Sequence, residues 1–152
     1  LVIATNGFAR RLGIEDIKPA RAQVLVTKPI DNLPFKGTFH LDKGYYYFRN
    51  IGNRVLFGGG RNLDFTAEET DQTGTTELIQ NKLRELLKST ILPGIPFKIQ
   101  QSWSGIMGVG NAKKPIVKNI SPRVLCGVRL GGMGIAIGSQ VGKDLADLAV
   151  KS

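Results

Sequence analysis

The feature that most constrains the fold is a strand that runs into a glycine-rich turn and then into a helix near the C-terminal end. Arg123–Val128 is apolar and β-prone, Leu130–Gly134 contains three glycines, and a helix is predicted to continue to about Val150. A turn of this kind brings backbone amides close to a ligand, and the helix N-terminus adds about half a positive charge. The pattern favours a site for an anionic or electron-rich group, with Arg129 two residues before Gly131. Glycines that serve only close packing are the alternative.

The chain is strongly basic. Among 152 residues, 21 Lys and Arg stand against 12 Asp and Glu, which gives a net charge of +9. No carboxylate lies between Glu85 and Asp144, although the same stretch holds Lys88, Lys98, Lys113, Lys114, Lys118, Arg123, Arg129 and Lys143. Such a stretch attracts nucleic acid, a phosphorylated cofactor or an acidic substrate. An evenly solvated basic surface is the alternative.

Composition disfavours several classes of site. No apolar run is long enough to span a bilayer, so we expect no membrane insertion. The single cysteine, Cys126, and the single histidine, His40, exclude an intrachain disulfide and the usual His/Cys metal site. The nucleophile motif G-x-S-x-G is missing, which disfavours a serine hydrolase. One unpaired cysteine and no export signal favour the cytoplasm.

The sequence opens inside a β-prone run, Leu1–Thr5. A strand without any lead-in usually has a missing partner, so we expect a domain cut from a longer chain. Processing of the terminus is the alternative. Phe8–Leu12 follows with room for one helical turn before a loop around Pro19.

The middle of the chain predicts an antiparallel meander. A strand at Arg21–Val26 is followed by three β-rich runs, which are Thr38–Leu41, Tyr45–Arg49 and Arg54–Phe57. Short turn signals separate those three runs, as in consecutive hairpins. Later strands are expected at Phe97–Val109 and Pro115–Ile120. The fold class is therefore α+β, with a mixed, largely antiparallel sheet and packed helices.

Two segments carry helix signals. Thr66–Glu69 has the S/T-x-x-E pattern of a capping box, which predicts a helix start. A second helix from Thr76 places one apolar face toward the sheet: Leu78, Ile79, Leu83, Leu86 and Leu87. Gly74 is expected to separate the two.

Several other clusters invite a functional interpretation. Gly58–Arg61 follows a strand and could cradle a phosphate, but no Walker lysine follows, and a bulge or bend is favoured. Tyr45–Phe48 alternates along a strand, so one pair of rings faces the core and the other faces outward. Trp103 suits either a core or a pocket wall. Cys126 lies in an apolar strand and is expected to be a small buried hydrophobe.

Five short motifs run in order through nearly the whole chain. They are Val2–Gly7, Pro19–Gln23, Tyr45–Arg49 with Arg54–Gly59, Trp103–Gly108 and Gly131–Ala136. Taken together they resemble the C-terminal half of the FAD-dependent D-amino-acid oxidase-type superfamily, which includes glycine and sarcosine oxidases. The resemblance implies that residues 1–18 are a remnant of a Rossmann-like FAD-binding domain, that 19–118 form a substrate-binding domain, and that 119–152 return to the FAD-binding domain.

The resemblance also implies that the chain is a fragment. The G-x-G-x-x-G turn of such enzymes, and the acidic residue that holds the ADP ribose, belong to an N-terminal half that this sequence lacks. We therefore expect that the fragment alone does not bind FAD tightly. The FAD is expected to be non-covalent, because Cys126 falls on a different strand from the segment where some sarcosine-oxidase relatives attach the flavin. The expected partners are the missing N-terminal half and a small substrate, whereas nucleic acid is expected to bind only weakly.

The family's functional positions fall on two groups of residues. The flavin-facing group is Thr5, Gly7, Arg129, Gly131, Gly132, Met133, Gly134 and Ile135. The substrate-facing group is Tyr46 or Tyr47, Arg49 and Met107. No catalytic residue is assigned to this chain, and no metal is expected.

The chemistry that the resemblance implies is hydride transfer from a substrate carbon bearing an amine to flavin N5. The helix at the glycine turn would stabilise negative charge at the flavin N1/C2=O edge. Amino-acid oxidases of this group carry an arginine for the substrate carboxylate where this sequence has Met107. The expected substrate is an amine or an amino-acid-like compound, with Arg49, Lys113 or Lys114 as candidate substitute cations. The rival hypothesis is a basic, non-enzymatic domain that binds polyanions or nucleic acid.

Overall fold

The computed structural model describes residues 1–151, in which eight strands and two α-helices form an α+β fold. In chain order they are β1 (Val2–Ile3), β2 (Lys18–Thr27), β3 (Thr38–Leu41), β4 (Tyr46–Ile51), β5 (Arg54–Gly59), α1 (Glu77–Leu86), β6 (Ile99–Val109), β7 (Ile116–Ser121), β8 (Val124–Val128) and α2 (Gly134–Lys151). Short 3₁₀ turns occupy Asn6–Leu12, Asp42–Gly44 and Arg61–Leu63, and a π-helical turn, Leu87–Ile91, extends α1.

The chain divides into two compact units. The terminal unit consists of Leu1–Ala20, Glu69–Asp71 and the residues from Ile106 onward. The central unit consists of Arg21–Glu68 and Gln72–Gly105.

The central unit is built on a five-stranded sheet in the order β3-β4-β5-β2-β6. Its β3, β4 and β5 form the antiparallel meander predicted from the turn signals, with Phe39 opposite Phe48 and Phe48 opposite Phe57. The helix α1 packs on one face, because its apolar side chains join alternate residues of the strands. The resulting core is Leu25, Ile30, Tyr46, Val55, Phe57, Ile79, Leu83, Leu87, Ile91 and Leu92. We call the other side of the sheet, which carries Tyr47 and Arg49, the open face.

The terminal unit holds a three-stranded sheet in the order β1-β8-β7. β1 runs parallel to β8, with Val2 opposite Leu125, whereas β7 runs antiparallel to β8. The main buried cluster of this unit is Ile3, Ala9, Ile14, Ile17, Ile116, Cys126 and Val128. α2 packs on Leu125 through Val141 and Leu145. Cys126 is fully buried, as the sequence predicted.

One predicted helix is wrong. Thr66–Glu69 forms turns, in which the Ala67 amide donates to the Asp64 carboxylate at 2.9 Å. Glu68 is buried, and its carboxylate accepts two hydrogen bonds from the Arg21 guanidinium, at 2.7 and 2.9 Å. A buried, doubly hydrogen-bonded ion pair outweighs a local cap, which is worth about 1 kcal/mol. The capping pattern was therefore overridden by a contact 47 residues away in sequence.

Smaller differences concern residues at the ends and faces of elements. α1 begins directly after Thr76, as predicted, but Leu78 is 55% exposed, so its placement on the packed face was wrong. Pro19 lies inside β2, not in a loop. A proline is tolerated there because it lies near the start of the strand. Among residues 1–151, neither helix is long and apolar enough to cross a bilayer.

Candidate functional site

The glycine turn of the terminal unit is held at its start by three hydrogen bonds. Leu130 donates its backbone amide to the Asn6 side-chain oxygen at 3.1 Å. The Gly131 amide donates to the Gly108 carbonyl at 2.9 Å, and the Met133 amide donates to the Leu130 carbonyl at 3.0 Å. Gly131 has a φ of +58°, in the left-handed region that glycine adopts at little cost. These bonds fix the path of the backbone between β8 and α2.

Three amides at the end of this turn remain available to a ligand. Within residues 1–151, the backbone amides of Gly132, Gly134 and Ile135 donate to no acceptor, whereas Ala136 and Ile137 donate to the Met133 carbonyl at 3.0 and 3.1 Å. Unpaired amides at the start of a helix, together with the helix dipole, attract negative charge. The arrangement is that of an anion-binding helix N-terminus.

The space beside these amides is open. A β-carbon added at Gly131 would have no atom within 4 Å, and one added at Gly132 would be nearest the Met107 sulfur, at 3.8 Å. At Gly134 the nearest atom would be 3.6 Å away, in Leu130. Side chains at these three positions would fill space that the fold leaves empty. The turn therefore has room for an electron-rich group that accepts hydrogen bonds from backbone amides.

The backbone around Gly7 and Gly108, in contrast to the glycine turn, is crowded. A β-carbon at Gly7 would lie 2.6 Å from the Met107 carbonyl oxygen. One at Gly108 would lie 2.5 Å from both the Asn6 side-chain oxygen and the Ile17 δ-carbon. Real β-carbons do not approach that closely, so both glycines are required by close backbone packing.

Arg129 stabilises the start of the turn through neutral partners. Its Nε donates to the Lys114 carbonyl at 2.8 Å, and its Nη1 donates to the Asp16 carbonyl at 3.1 Å. The backbone of Arg129 has a φ of +65°, which is rare for a residue with a side chain. Neutral carbonyls leave the positive charge of the guanidinium in place.

The terminal unit brings together most of the predicted flavin-facing residues. Gly7 and Arg129 lie in the contacts described above, together with the turn from Gly131 to Gly134. Met107, which was predicted to face the substrate, lies in the same unit, and its sulfur is the atom nearest to a β-carbon added at Gly132. Thr5 is exposed, and its carbonyl accepts a hydrogen bond from the Phe8 amide at 3.1 Å. Ile135 and Met133 extend their side chains into solvent.

Sequence reasoning missed Asn6 and Gly108. Asn6 has a φ of +46°, and its side chain binds Leu130 across a separation of 124 residues. The available signal was the Asn-Gly pair, because asparagine tolerates the left-handed region better than most residues. Gly108 lies within a predicted strand, where an isolated glycine indicates close backbone approach.

The predicted substrate residues of the central unit lie on opposite faces of the sheet. Tyr46 is 3% exposed and contributes to the core against Phe57. Tyr47 is 36% exposed and lies on the open face, where Arg49 is also exposed. Burial is the main cause that raises the pKa of each tyrosine above its usual value. Only Tyr47 and Arg49 are thus accessible from the open face.

The Tyr47 ring lies across the neighbouring strand. Tyr47 and Val24 both pair with Gly58, one from each side. A β-carbon at Gly58 would lie 2.5 Å from a Val24 methyl group and 2.9 Å from the Tyr47 hydroxyl. Gly59 and Gly60 have φ values of +126° and +80°, so these glycines serve packing and a bend at the strand end. Trp103 is 40% exposed and does not belong to the core.

Comparison with known families decides between the two hypotheses. The model of the FAD dependent oxidoreductase family, DAO, matches residues 1–148. The chain belongs to this family. No curated protein shows significant similarity to it. The rival hypothesis of a polyanion-binding domain has no support from these comparisons.

Solved structures share the fold at low sequence identity. L-proline dehydrogenase from P. horikoshii is 21% identical, with a TM-score of 0.77, and the match covers 99% of this chain and 42% of that one. Iminodiacetate oxidase from Chelativorans sp. BNC1 is 20% identical, with a TM-score of 0.71, and the match covers 99% of this chain and 42% of that one. Glycine oxidase from Bacillus cereus ATCC 14579 is 16% identical (TM-score 0.78, 99% and 41% covered). The chain thus spans about two fifths of the length of these structures.

Proposed function

We propose that this chain supplies the flavin-facing turn and the substrate-binding face of an FAD-dependent oxidoreductase that oxidises an amine or an amino-acid-like substrate. The observation that carries the proposal is the set of unpaired amides at Gly132, Gly134 and Ile135 beside an open glycine turn. When bound, the flavin supplies a hydride acceptor for oxidation at a carbon that bears nitrogen. The family assignment and the fold agree with this chemistry.

The role of the terminal unit in this proposal is electrostatic. The amides of Gly132, Gly134 and Ile135 would donate to the electron-rich edge of the flavin and would stabilise negative charge there. They are fixed in advance by the hydrogen bonds of Leu130 and Gly131, so little reorganisation is needed when charge develops. The charge of Arg129, whose guanidinium donates to two neutral carbonyls, adds to the same field.

The role of the central unit in this proposal is substrate binding. Tyr47 offers a hydroxyl and Arg49 a cation on the open face. The structural neighbours include proteins named for proline, iminodiacetate and glycine, which supports a small compound with a C–N bond. Met107 in the terminal unit presents a thioether, so any carboxylate of the substrate must be bound by a cation elsewhere, such as Arg49, Lys113 or Lys114.

Non-covalent flavin and an additional FAD-binding part complete the proposal. Cys126 is fully buried, so its thiol is not accessible for a flavin linkage. The structures with this fold are more than twice as long, and the remaining part of the enzyme is proposed to bind the ADP moiety. The isolated chain is then a weak FAD binder without activity of its own. A cytoplasmic location is also part of the proposal, since the one cysteine forms no intrachain disulfide.

Anaerobic reduction of the flavin tests the proposed reaction. The whole enzyme, purified with its flavin, is mixed with a panel of amines, N-alkyl amino acids and amino acids, and loss of the oxidised flavin spectrum is recorded. We expect at least one member of the panel to bleach the flavin, and denaturation to release all of the flavin as free FAD. A flavin that no C–N compound reduces, although dithionite does, would contradict the proposed substrate class.

A further inference from the structure

The backbone of Arg129 adopts a conformation that a residue with a side chain rarely adopts. Its φ is +65°, in the left-handed region. A glycine would adopt this conformation at little cost, whereas the β-carbon of an arginine makes it unfavourable. A strained backbone persists where surrounding contacts hold it in place. The contacts made by the guanidinium therefore need an explanation.

The guanidinium joins two segments that are far apart in sequence. Nε binds the carbonyl of Lys114, in the loop between β6 and β7, and Nη1 binds the carbonyl of Asp16, in the segment before β2. The Asp16 carboxylate is directed elsewhere and pairs with Lys118 at 3.6 Å. Two hydrogen bonds in a fixed fork define the position of both carbonyls, which a single ammonium does less well.

The aliphatic part of the Arg129 side chain packs against the backbone at Gly110. A β-carbon at Gly110 would lie 2.7 Å from the δ-carbon of Arg129 and 3.0 Å from the Asp16 carbonyl oxygen. Gly110 therefore leaves the space in which the stem reaches both carbonyls. The contact couples the start of the loop to the same side chain that binds its end at Lys114.

The next two residues carry this restraint into the glycine turn. Leu130 binds Asn6 and Gly131 binds the Gly108 carbonyl, so the chain from Arg129 to Gly131 is held at each residue. The first unpaired amide belongs to Gly132. The orientation of the Gly132 amide therefore depends on the three restrained residues before it, Arg129 to Gly131.

We propose that Arg129 is a positioning residue whose guanidinium latches the Gly110–Lys114 loop and the Asp16 segment to the start of the glycine turn. Through this latch it aims the amides of Gly132 and Gly134 at the flavin, and it does not itself contact the flavin. The inference rests on the proposed function for its flavin, but the latch is a property of the chain alone.

The test compares Arg129→Met and Arg129→Lys with the matched control Arg123→Met, whose side chain is exposed and whose backbone carbonyl remains. Lysyl endopeptidase cleavage after Lys113, followed by mass spectrometry, reports on the latch in the whole enzyme. FAD titration of the flavin-free enzyme reports on the turn. Arg129→Met removes both hydrogen bonds of the guanidinium, so we expect it to speed cleavage and to weaken FAD binding by at least about tenfold each. Arg129→Lys is expected to give a cleavage rate and an FAD affinity between those of the wild type and Arg129→Met. Arg123→Met is expected to change neither the cleavage rate nor the FAD affinity.

Each other result has a defined meaning. Weaker FAD binding with unchanged cleavage would overturn the latch, because it indicates direct contact between Arg129 and the flavin. Faster cleavage with unchanged FAD binding would overturn the positioning role. If the wild-type enzyme binds no FAD, the proposed function fails, and unchanged cleavage would still refute the latch. Should Arg129→Met not fold, Gly110→Ala crowds the same stem and is expected to give the same two effects.

Discussion

Two arginines show how differently the two units use a positive charge. In the central unit the Arg21 guanidinium forms two hydrogen bonds with the buried Glu68 carboxylate, and the hydrogen bond with Glu68 is the main cause that raises the pKa of Arg21. In the terminal unit Arg129 binds two backbone carbonyls and no carboxylate is among its recorded partners within residues 1–151. The Glu68 carboxylate neutralises the positive charge of Arg21, whereas the two carbonyls that bind Arg129 are neutral. The central arginine thus contributes to stability, whereas the terminal one also contributes a field beside the glycine turn.

The glycines of the terminal unit repeat this contrast. Gly7, Gly108 and Gly110 are crowded by backbone or side chains and have no room for a β-carbon. Gly131, Gly132 and Gly134 have room and leave it empty. The crowded glycines are required by close packing, and the open ones, which lie at a helix start, are the positions at which we propose that the ligand binds.

Removing the buried carboxylate should destabilise the protein most. Glu68→Ala leaves the Arg21 guanidinium largely buried without its anion, and it also removes one of the two acceptors of the Gln23 side-chain amide. Loss of one partner of a buried ion pair costs about 3–5 kcal/mol. The measurement is urea unfolding, with Glu85→Ala as the control. Glu85 forms an exposed pair with Lys82, whose loss costs about 0–1 kcal/mol. Equal effects of the two changes would contradict the assigned role of the Arg21 pair.

Filling a crowded glycine should have the next largest effect. Gly108→Ala forces a β-carbon against Asn6 and Ile17, and overpacking of this kind costs about 1–3 kcal/mol. Gly142→Ala, in the solvent-exposed part of α2 with nothing within 4 Å, should instead stabilise the protein by about 0.5–1 kcal/mol. Thermal unfolding of both variants gives the comparison. A Gly108→Ala variant as stable as the wild type would show that this glycine is not required by packing.

The open face of the central unit should respond to a smaller change. The β-carbon added by Gly58→Ala would clash with the Tyr47 ring and with a Val24 methyl group. Both neighbours are side chains that can move, so we expect the Tyr47 ring to shift toward solvent. Since burial raises the pKa of Tyr47, this variant should lower that pKa toward its usual value. Ultraviolet titration of the phenols measures it, with Gly105→Ala, which meets no neighbour, as the control. An unchanged titration curve would contradict the position of the ring.

The same shift has a consequence for stability at high pH. Folding raises the pKa of Tyr47, so the folded state favours the protonated phenol. The stability from this group is complete below the unfolded pKa of about 10 and is lost as the pH rises through the folded value. A Gly58→Ala protein should therefore lose less stability above that pH than Gly105→Ala.

Local patterns predicted the elements that local chemistry determines. The strand Thr38–Leu41, the start of α1 after Thr76 and the strand–turn–helix that ends in α2 all follow from turn residues and apolar periodicity. The helix predicted at Thr66–Glu69 failed because Glu68 binds Arg21, a contact that no local pattern contains. The same limit applies to the site. The glycines of the turn were visible in the sequence, but the Asn6–Leu130 bond and the carbonyl partners of Arg129 depend on segments more than 100 residues apart or on loop paths.

The central claim is that the open glycine turn receives the flavin, and FAD titration of the flavin-free whole enzyme tests it most directly. Gly132→Ala and Gly134→Ala are compared with Gly138→Ala and Gly142→Ala, which lie further along the same helix and also meet no close neighbour. We expect the added methyl groups of the first pair to occupy space that the flavin needs and to weaken FAD binding by about tenfold without loss of thermal stability, whereas the second pair should bind FAD as tightly as the wild type. Equal FAD affinity in all four variants, or a wild-type enzyme that stays colourless after FAD is added, would contradict the claim.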